Sequence, residues 1–345
     1  MAVESRVAVV GFGLAGSAFH APFIAATPGL RLTAVVTGNP ERAAAATERY
    51  PGVEVLGAAE ELWRRAGEFD LAVIATPNRH HVPQAKAALA AGLAVVVDKP
   101  VAGTGREVRE LVEAADRAGK MLTAFQNRRW DGDFRTAREL VEGGALGEVT
   151  RFESRFERAA GPVKSGWKGS TDPADLASVL YDLGSHVVDQ AIALFGRPST
   201  VTAELTGPRD EDATVLLTHT GGVRSYLRAS KLTAPAAPRL LVTGPTAGYR
   251  CWGLDPQEAA SRAGVRPDEP GFGVYPPAQW GQLVTAAGTE TVPTQDGDYL
   301  GYYRAVGACL RGDGPPPVPL GQTVDLVDTI EAALRSSAEK SPVSL

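Results

Sequence analysis

One segment near the N-terminus, VAVVGFGLAGSAFHAPFI, constrains the fold more than any other part of the chain. It places the pattern G-x-G-x-x-G, formed by Gly11, Gly13 and Gly16, directly after a strand-like run and at the start of a helical stretch. In such a unit the first glycine permits a tight turn, the second lets the backbone approach a pyrophosphate, and the third lets helix and strand pack closely. The segment therefore predicts a dinucleotide-binding loop, which also contains Phe12 and Leu14.

Short apolar runs alternate with Ala-rich amphipathic stretches over the first 125 residues. Strands that are buried on both faces of a parallel sheet are nearly continuous in apolar residues, as these runs are. We therefore expect an α/β fold whose residues 1–125 form a doubly wound parallel (Rossmann) sheet. A plain strand, turn and helix is the alternative for the glycine segment, and the other strand patterns weigh against it. The runs are residues 7–10, 30–37, 53–56, 71–76, 93–97 and 121–125.

The pattern changes after Phe125 to a two-residue alternation, which is typical of antiparallel strands with one face half-covered. We expect residues 126–345 to form a C-terminal α+β domain for substrate binding and oligomerisation, built on a large open, mostly antiparallel sheet. Helices are predicted over 134–142 and 324–335, and the last helix could pack back on the first domain. The Pro- and Gly-rich stretch 233–295 predicts loops and short strands. The alternating segments are 149–158, 200–206, 214–220 and 223–230.

Composition restricts the partners of the chain. The net charge is −5 and no sustained basic run is present, which argues against a nucleic-acid partner. No segment is apolar enough to cross a membrane, and the N-terminus lacks the pattern of a secretion signal, so we expect a cytoplasmic protein. Neither the two cysteines nor the histidines form a metal-ligand cluster in the sequence, so we expect no metal. The expected partner is a small molecule.

The end of the second predicted strand, TAVVTGNPERAA, bears on the choice of dinucleotide. NAD-binding proteins usually carry an acid there for the ribose hydroxyls, whereas an arginine with small polar neighbours accommodates a 2′-phosphate. Here Thr37 and Asn39 occupy the turn, and Arg42 lies in the first turn of the next helix. We therefore predict NADP, with NAD as the alternative. Arg42 as an ordinary surface residue is the other interpretation.

Two places carry residues suited to proton and hydride chemistry. Lys99 follows the fifth run, at the strand end where ligands bind in open sheets, and its ammonium could polarise a substrate oxygen. Asp182 and His186 are four residues apart, so a helix beginning near Asp182 would place both on one face. A histidine suits proton transfer near neutral pH. The alternatives are a lysine paired with Asp98 and an N-cap aspartate with an incidental histidine.

Three segments together resemble the Gfo/Idh/MocA family of oxidoreductases: the glycine loop, ATPNRHH after the fourth strand, and VVVDKP after the fifth. In that family the fifth strand ends in E-K-P, and this chain has Asp98 in place of the glutamate. The resemblance implies that a T-P-N-x-x-H segment lies along the cofactor and that the Lys99–Pro100 peptide is cis. The matching residues are Thr76, Pro77, Asn78 and His81.

The same resemblance implies roles for the second domain. His186 matches the residue that transfers a proton, and Asp182 matches a residue that binds substrate. The segment TAFQNRRWDGDF is similar to the subgroup of NADP-dependent scyllo-inositol dehydrogenases, and Arg128 falls where family members reach the substrate. Arg129 could equally belong to an interdomain hinge. Trp167 lies in a Gly- and Ser-rich loop and could cover the apolar face of a sugar ring.

These features predict reversible hydride transfer between NADP(H) and a secondary alcohol or ketone of a cyclitol, sugar or sugar-like substrate. Lys99, Asp182 and His186 are the predicted catalytic residues, and the family resemblance implies a homodimer or homotetramer. Two alternatives remain: a dinucleotide-sensing protein without turnover, and a redox-neutral NAD-dependent glycoside hydrolase.

Overall fold

The N-terminal sheet is a doubly wound parallel sheet, as the apolar runs predict. In the computed structural model, which describes residues 4–161, 169–207 and 210–345, its six strands have the order β3-β2-β1-β4-β5-β6 and every neighbouring pair is parallel. The order reverses between β1 and β4, which leaves a crevice at the carboxyl ends of the strands. The strands are β1 (Ser5–Val10), β2 (Leu30–Val36), β3 (Glu54–Leu56), β4 (Leu71–Ile74), β5 (Ala94–Asp98) and β6 (Leu122–Phe125).

Helices connect these strands and cover both faces of the sheet. The longest of them begins with a capping box, in which Thr104 and Glu107 each bond the backbone N–H of the other. It ends at Gly119, whose φ of +60° is the left-handed conformation that glycine adopts at low cost. The helices are α1 (Ala21–Ala26), α2 (Pro40–Arg49), α3 (Ala59–Arg64), α4 (His81–Ala90) and α5 (Gly105–Ala118), and a π-helical segment, Ala15–His20, precedes α1.

The second sheet has nine strands among the described residues, in the order β14-β13-β12-β11-β7-β10-β9-β8-β15. Its pairs are antiparallel except for β7 and β10, which run parallel, so the sheet is mixed. The strands are β7 (Arg151–Glu157), β8 (Pro198–Thr206), β9 (Asp212–His219), β10 (Arg224–Ser230), β11 (Leu240–Thr243), β12 (Ala247–Cys251), β13 (Gly281–Thr285), β14 (Gly288–Val292) and β15 (Val343–Ser344).

Alternate residues of these strands are buried against helices α6 (Gly132–Glu142) and α7 (Ser185–Phe195). The stretch 233–295, predicted to hold loops and short strands, also contains a helix, α8 (Pro256–Arg262). Asp255 caps this helix by accepting the N–H of Gln257 at 2.8 Å, and a proline occupies its first position. The short Asp-Pro signal therefore starts a helix that the weak periodicity of the region did not indicate.

The C-terminal part of the chain packs on both domains. Tyr299, Tyr302 and Tyr303 of helix α9 (Tyr299–Arg311) are buried in the apolar core of the N-terminal sheet. Helix α10 (Leu320–Glu339) belongs mainly to the core of the second sheet and also contacts α5. The segment that returns to the first domain is therefore chiefly α9, which precedes the helix for which we expected this packing. The boundary at residues 125/126 stays a prediction.

A buried ion pair stabilises the junction between these parts. Arg129 donates to both carboxylate oxygens of Asp189 on α7, at 2.8 and 2.6 Å, and to Gln322 of α10 at 2.6 Å. Both charged side chains are almost completely buried, so removing either would leave an uncompensated charge. These contacts support the interpretation of Arg129 as a residue of the interdomain junction.

Candidate active site

A cavity of about 620 Å³ lies between the carboxyl ends of the N-terminal strands and the second domain. Its volume is typical of small-molecule and cofactor sites. The cavity brings together residues that are far apart in the sequence. Those predicted from the sequence that line it are Gly11, Phe12, Gly13, Leu14, Thr37, Arg42, Thr76, Pro77, Asn78, Lys99, Arg128, Asp182 and His186.

The glycine loop has the geometry that its spacing predicts. Gly11 has φ +98°, and a Cβ there would lie 2.6 Å from the carbonyl oxygen of Ala75. A Cβ on Gly16 would lie 2.0 Å from the carbonyl oxygen of Gly11, so the helix start and the loop pack as closely as backbone allows. The Phe12 side chain is buried in a small apolar cluster, whereas no described residue apart from the chain neighbours of Gly13 has a backbone atom within 4 Å of its Cβ position. The loop therefore presents open backbone to a ligand.

The turn after β2 places a guanidinium beside this loop. Asn39 caps helix α2 by accepting the backbone N–H of Arg42 at 2.9 Å. A guanidinium nitrogen of Arg42 lies 3.8 Å from the Cβ position at Gly13. Arg42 and Thr37 line the cavity, whereas the described contact of the Asn39 side chain is the helix cap. Asn39 thus orients the helix that carries Arg42.

The T-P-N-x-x-H segment forms one edge of the cavity and contacts both domains. The Asn78 amide donates to the carbonyl of Asp175 in the second domain at 2.9 Å. The ring nitrogens of His81 lie 2.8 Å from the carbonyl oxygens of Pro100 and Thr76, and burial lowers the pKa of this histidine. His81 is not among the residues that line the cavity. Through these contacts, His81 connects the segments that follow β4 and β5. The Lys99–Pro100 peptide is cis, as the resemblance implied.

The Lys99 ammonium contacts Asp182 and not the neighbouring Asp98. Its Nζ lies 2.6 Å from the backbone carbonyl of Asp182 and 3.2 Å from the carboxylate. Lys231, at the end of β10, contacts the other carboxylate oxygen at 3.1 Å. Lys231 was not predicted from the sequence, because a lysine more than forty residues away has no local pattern that connects it to Asp182.

His186 lies in the first turn of α7, after a π-helical segment, Leu180–Gly184, that contains Asp182. The side chain is 6% exposed, and its Nδ1 has no hydrogen-bond partner among the described residues. Burial lowers the pKa of His186 well below its ordinary value, and the positive charges of Lys99 and Arg128 add to this effect. The imidazole is therefore neutral at pH 7 and can accept a proton.

A cluster of arginines forms another part of the wall. Glu258 of α8 contacts Arg158 at 2.8 Å and Arg262 at 3.0 Å, and it also pairs with Arg128. Burial opposes its ionisation, but the three guanidiniums outweigh burial and lower the pKa of Glu258 to about 2. Arg128 itself lies 4.3 Å above the ring of Phe156. The sequence analysis identified Arg128 alone of this cluster.

The remaining observations concern two tryptophans, metal binding and membrane-spanning helices. Trp167 lies outside the described residues. Trp130, which follows the arginine pair, packs edge-on against Tyr302 and does not line the cavity. Within the described part of the chain, no group of three or more His, Cys, Asp or Glu side chains could hold a metal ion. No helix in that part is both long and apolar enough to cross a membrane.

Comparison with known protein families shows to which family the chain belongs. Residues 5–126 match the NAD-binding Rossmann domain of the Gfo/Idh/MocA oxidoreductases, and residues 138–345 match the C-terminal alpha/beta domain of the same family. The chain belongs to the Gfo/Idh/MocA family. It is therefore an oxidoreductase, and its relatives in this family include dehydrogenases named for cyclitol and sugar substrates.

Individual members of the family align over part or nearly all of the chain. The scyllo-inositol 2-dehydrogenase (NADP(+)) of Bacillus subtilis is 32% identical over 99% of this chain and 96% of its own length. A D-glucoside 3-dehydrogenase of Escherichia coli is 31% identical over 56% of this chain and 55% of its own length. Among solved structures, oxidoreductase YvaA of Bacillus subtilis superposes with a TM-score of 0.93 at 30% identity, covering 100% of this chain and 99% of its own.

The close packing of Gly16 predicts a strong effect of one added methyl group. We expect Gly16→Ala to weaken dinucleotide binding and to lower the free energy of unfolding by about 2 kcal/mol, because the methyl would collide with the Gly11 carbonyl. The matched control is Gly321→Ala on α10, where no atom of the described residues outside the helix's own backbone and the adjacent residues lies within 4 Å of the Cβ position, so a change below about 1 kcal/mol is expected. For each variant, denaturation measures the free energy of unfolding, and titration with NADP measures dinucleotide binding. Equal behaviour of the two variants would contradict the packing argument.

Proposed function

We propose that the protein catalyses reversible hydride transfer between NADP(H) and a secondary alcohol or ketone of a cyclitol, sugar or sugar-like substrate. The observation that carries this proposal is one cavity that contains the glycine loop, Lys99, Asp182 and His186. The open backbone at Gly13 and the guanidinium beside it fit a dinucleotide phosphate. The names of the related cyclitol and sugar dehydrogenases support the substrate class.

The residues of the cavity divide the chemistry among them. Neutral His186 accepts the hydroxyl proton when an alcohol is oxidised and returns it when a ketone is reduced. The Lys99 ammonium donates a hydrogen bond to the reacting oxygen and favours its negative character, while Asp182 accepts from a neighbouring hydroxyl. The nicotinamide, when bound, takes or supplies the hydride. The glycine loop and the residues Thr76 to Asn78 would hold the cofactor along the strand ends.

The preference for NADP rests on the turn after β2. No acid occupies residues 37–39, where NAD-binding proteins usually carry one, and Arg42 lines the cavity beside Gly13. A guanidinium can bind a phosphate through two parallel hydrogen bonds that are strengthened by its positive charge. A neutral side-chain amide lacks this charge. Asn39 supports this arrangement by capping the helix that carries Arg42.

Removal of the imidazole should strongly lower turnover without abolishing cofactor binding. We expect His186→Asn to lower kcat by about a hundredfold or more, because the variant lacks the proposed proton acceptor. The assay follows reduced nicotinamide by absorbance with scyllo-inositol, myo-inositol, glucose and an alkyl glucoside, each with NADP and NAD. His219→Asn is the control, since His219 is buried in the second sheet and does not line the cavity.

The outcomes of this assay are distinct. Full turnover by His186→Asn would disprove its role in proton transfer. Release of the alkyl group from the glucoside without net cofactor reduction would favour the hydrolase, and cofactor binding without reaction on any polyol would favour the sensing protein.

The cofactor preference has its own test. We expect Arg42→Gln to raise the KM for NADP about tenfold, because a charged hydrogen bond to the 2′-phosphate is lost, while the KM for NAD stays unchanged. Arg49→Gln is the matched control, since Arg49 lies on the same helix and does not line the cavity. A similar rise for both cofactors, or for neither, would refute a contact between Arg42 and the 2′-phosphate.

We propose further that the open face of the second sheet pairs with a second copy of the chain. A continuous row of residues crosses that face, and one of them, Tyr226, is 38% exposed. The row consists of Thr202, Leu216, Tyr226, Glu153 and Leu241.

Light scattering should give a multiple of the chain mass for the wild-type protein. Tyr226→Arg should lower the measured mass, because a buried charge opposes association. Glu113→Arg on the exposed surface of α5 is the control. A monomeric wild-type protein would refute this pairing.

A cytoplasmic location stays a prediction.

A further inference from the structure

His20, the last residue of the π-helical segment that follows the glycine loop, is completely buried next to the active site. His20 is 0% exposed, and its Nδ1 lies 2.5 Å from the hydroxyl of Tyr303 on α9. Its Nε2 lies 3.7 Å from a carboxylate oxygen of Asp98 and has no hydrogen-bond partner among the described residues. The ring packs against Phe125 with 4.3 Å between centroids. These contacts fix both the position and the plane of the imidazole.

The contacts of this cluster can be satisfied by one assignment of its protons. Burial raises the pKa of Tyr303 well above its ordinary value, so the phenol keeps its proton. The Tyr303 hydroxyl can then donate to Nδ1 of His20, which places the ring proton on Nε2, the nitrogen that faces Asp98. The chain of contacts therefore runs from a buried tyrosine, through an imidazole, to a carboxylate.

Asp98 connects this chain to the lysine of the site. One carboxylate oxygen of Asp98 accepts the backbone N–H of Lys99 at 2.8 Å, and the other faces His20. Burial opposes ionisation of Asp98, but His20, His81 and Lys99 outweigh it, so its pKa is lowered and the carboxylate stays charged. Both oxygens thus have a positively polarised neighbour, which restricts rotation of the side chain.

We propose that Tyr303, His20 and Asp98 are positioning residues that fix the backbone of Lys99, so that its ammonium stays against Asp182 at the reacting oxygen. The inference rests on the proposed function only for the role of Lys99 in hydride transfer. The arrangement resembles the hydrogen-bonded groups that orient metal-binding histidines, whose loss typically lowers activity tenfold or more. It also assigns a role to two residues, His20 and Asp98, that the reaction itself does not use.

The test compares four variants of the full-length protein: His20→Leu, His20→Gln, Tyr303→Phe and His219→Leu. Glutamine is the conservative replacement, because its amide can donate toward Asp98. His219→Leu is the matched control, since His219 is equally buried but bonds Gly196 and Ser225 in the second sheet. Thermal denaturation first establishes that each variant is folded.

The first readout needs no substrate. Trace acetylation with acetic anhydride, quantified by mass spectrometry, reports the reactivity of Lys99 relative to the exposed Lys120. We expect His20→Leu to change the Lys99 to Lys120 ratio severalfold, Tyr303→Phe to change it less, and His20→Gln and His219→Leu to leave it near the wild-type value. An unchanged ratio in folded His20→Leu would overturn the proposal, whether or not any polyol is turned over.

The second readout uses scyllo-inositol and NADP. We expect His20→Leu to lower kcat about tenfold with little change in the KM for NADP, because misplacement of one group affects the reacting centre more than cofactor binding. His20→Gln should recover most of this loss. Equal losses in His20→Leu and His219→Leu would indicate general destabilisation and overturn the proposal. Absence of turnover in the wild-type protein would count against the proposed function and would leave the acetylation result to decide the inference.

Discussion

The contact between Lys99 and Asp182 holds the two domains together at the active site. Lys99 follows the last residue of β5, and Asp182 lies just before α7, so this contact sets the distance between the first sheet and the second domain. The position of His186 follows from it, because His186 is four residues further along the same helical segment. The bond from the Tyr181 hydroxyl to the Gly103 carbonyl, at 2.8 Å, stabilises the same junction. In the proposed mechanism, a reacting group placed this way needs little reorganisation during catalysis.

Two carboxylates of the cavity, Asp182 and Glu258, are each surrounded by several positively charged side chains. Asp182 lies between the ammonium groups of Lys99 and Lys231, and Glu258 lies among three guanidiniums. Each carboxylate thus has more than one cation beside it, and such a wall attracts an anionic dinucleotide. Two of these cations, Lys99 and Arg128, act together with burial to lower the pKa of His186. The arrangement therefore fits both parts of the proposed function, cofactor attraction and proton transfer.

The sequence predicted the parts of the fold that depend on local patterns. All six strands of the first sheet were predicted, because each is a nearly continuous apolar run, and Lys99 was predicted as a site residue because it directly follows one of them. Helices α8 and α9 were not predicted as helices. The first is short and lies in a Pro- and Gly-rich stretch. The second, α9, was not recognised as part of the N-terminal core, because its buried tyrosines come from a distant part of the chain.

The sequence by itself determined the dinucleotide loop and the parallel sheet, because glycine spacing and apolar periodicity act through steric effects between near neighbours. It also identified Lys99, Asp182 and His186 as a group, through motifs that resemble one family. Only the tertiary structure decided that Lys231 contacts Asp182, and that His20 is buried between Asp98 and Tyr303. The physical reason is that these contacts join segments far apart in the chain, and their distances depend on how the two sheets and α9 pack.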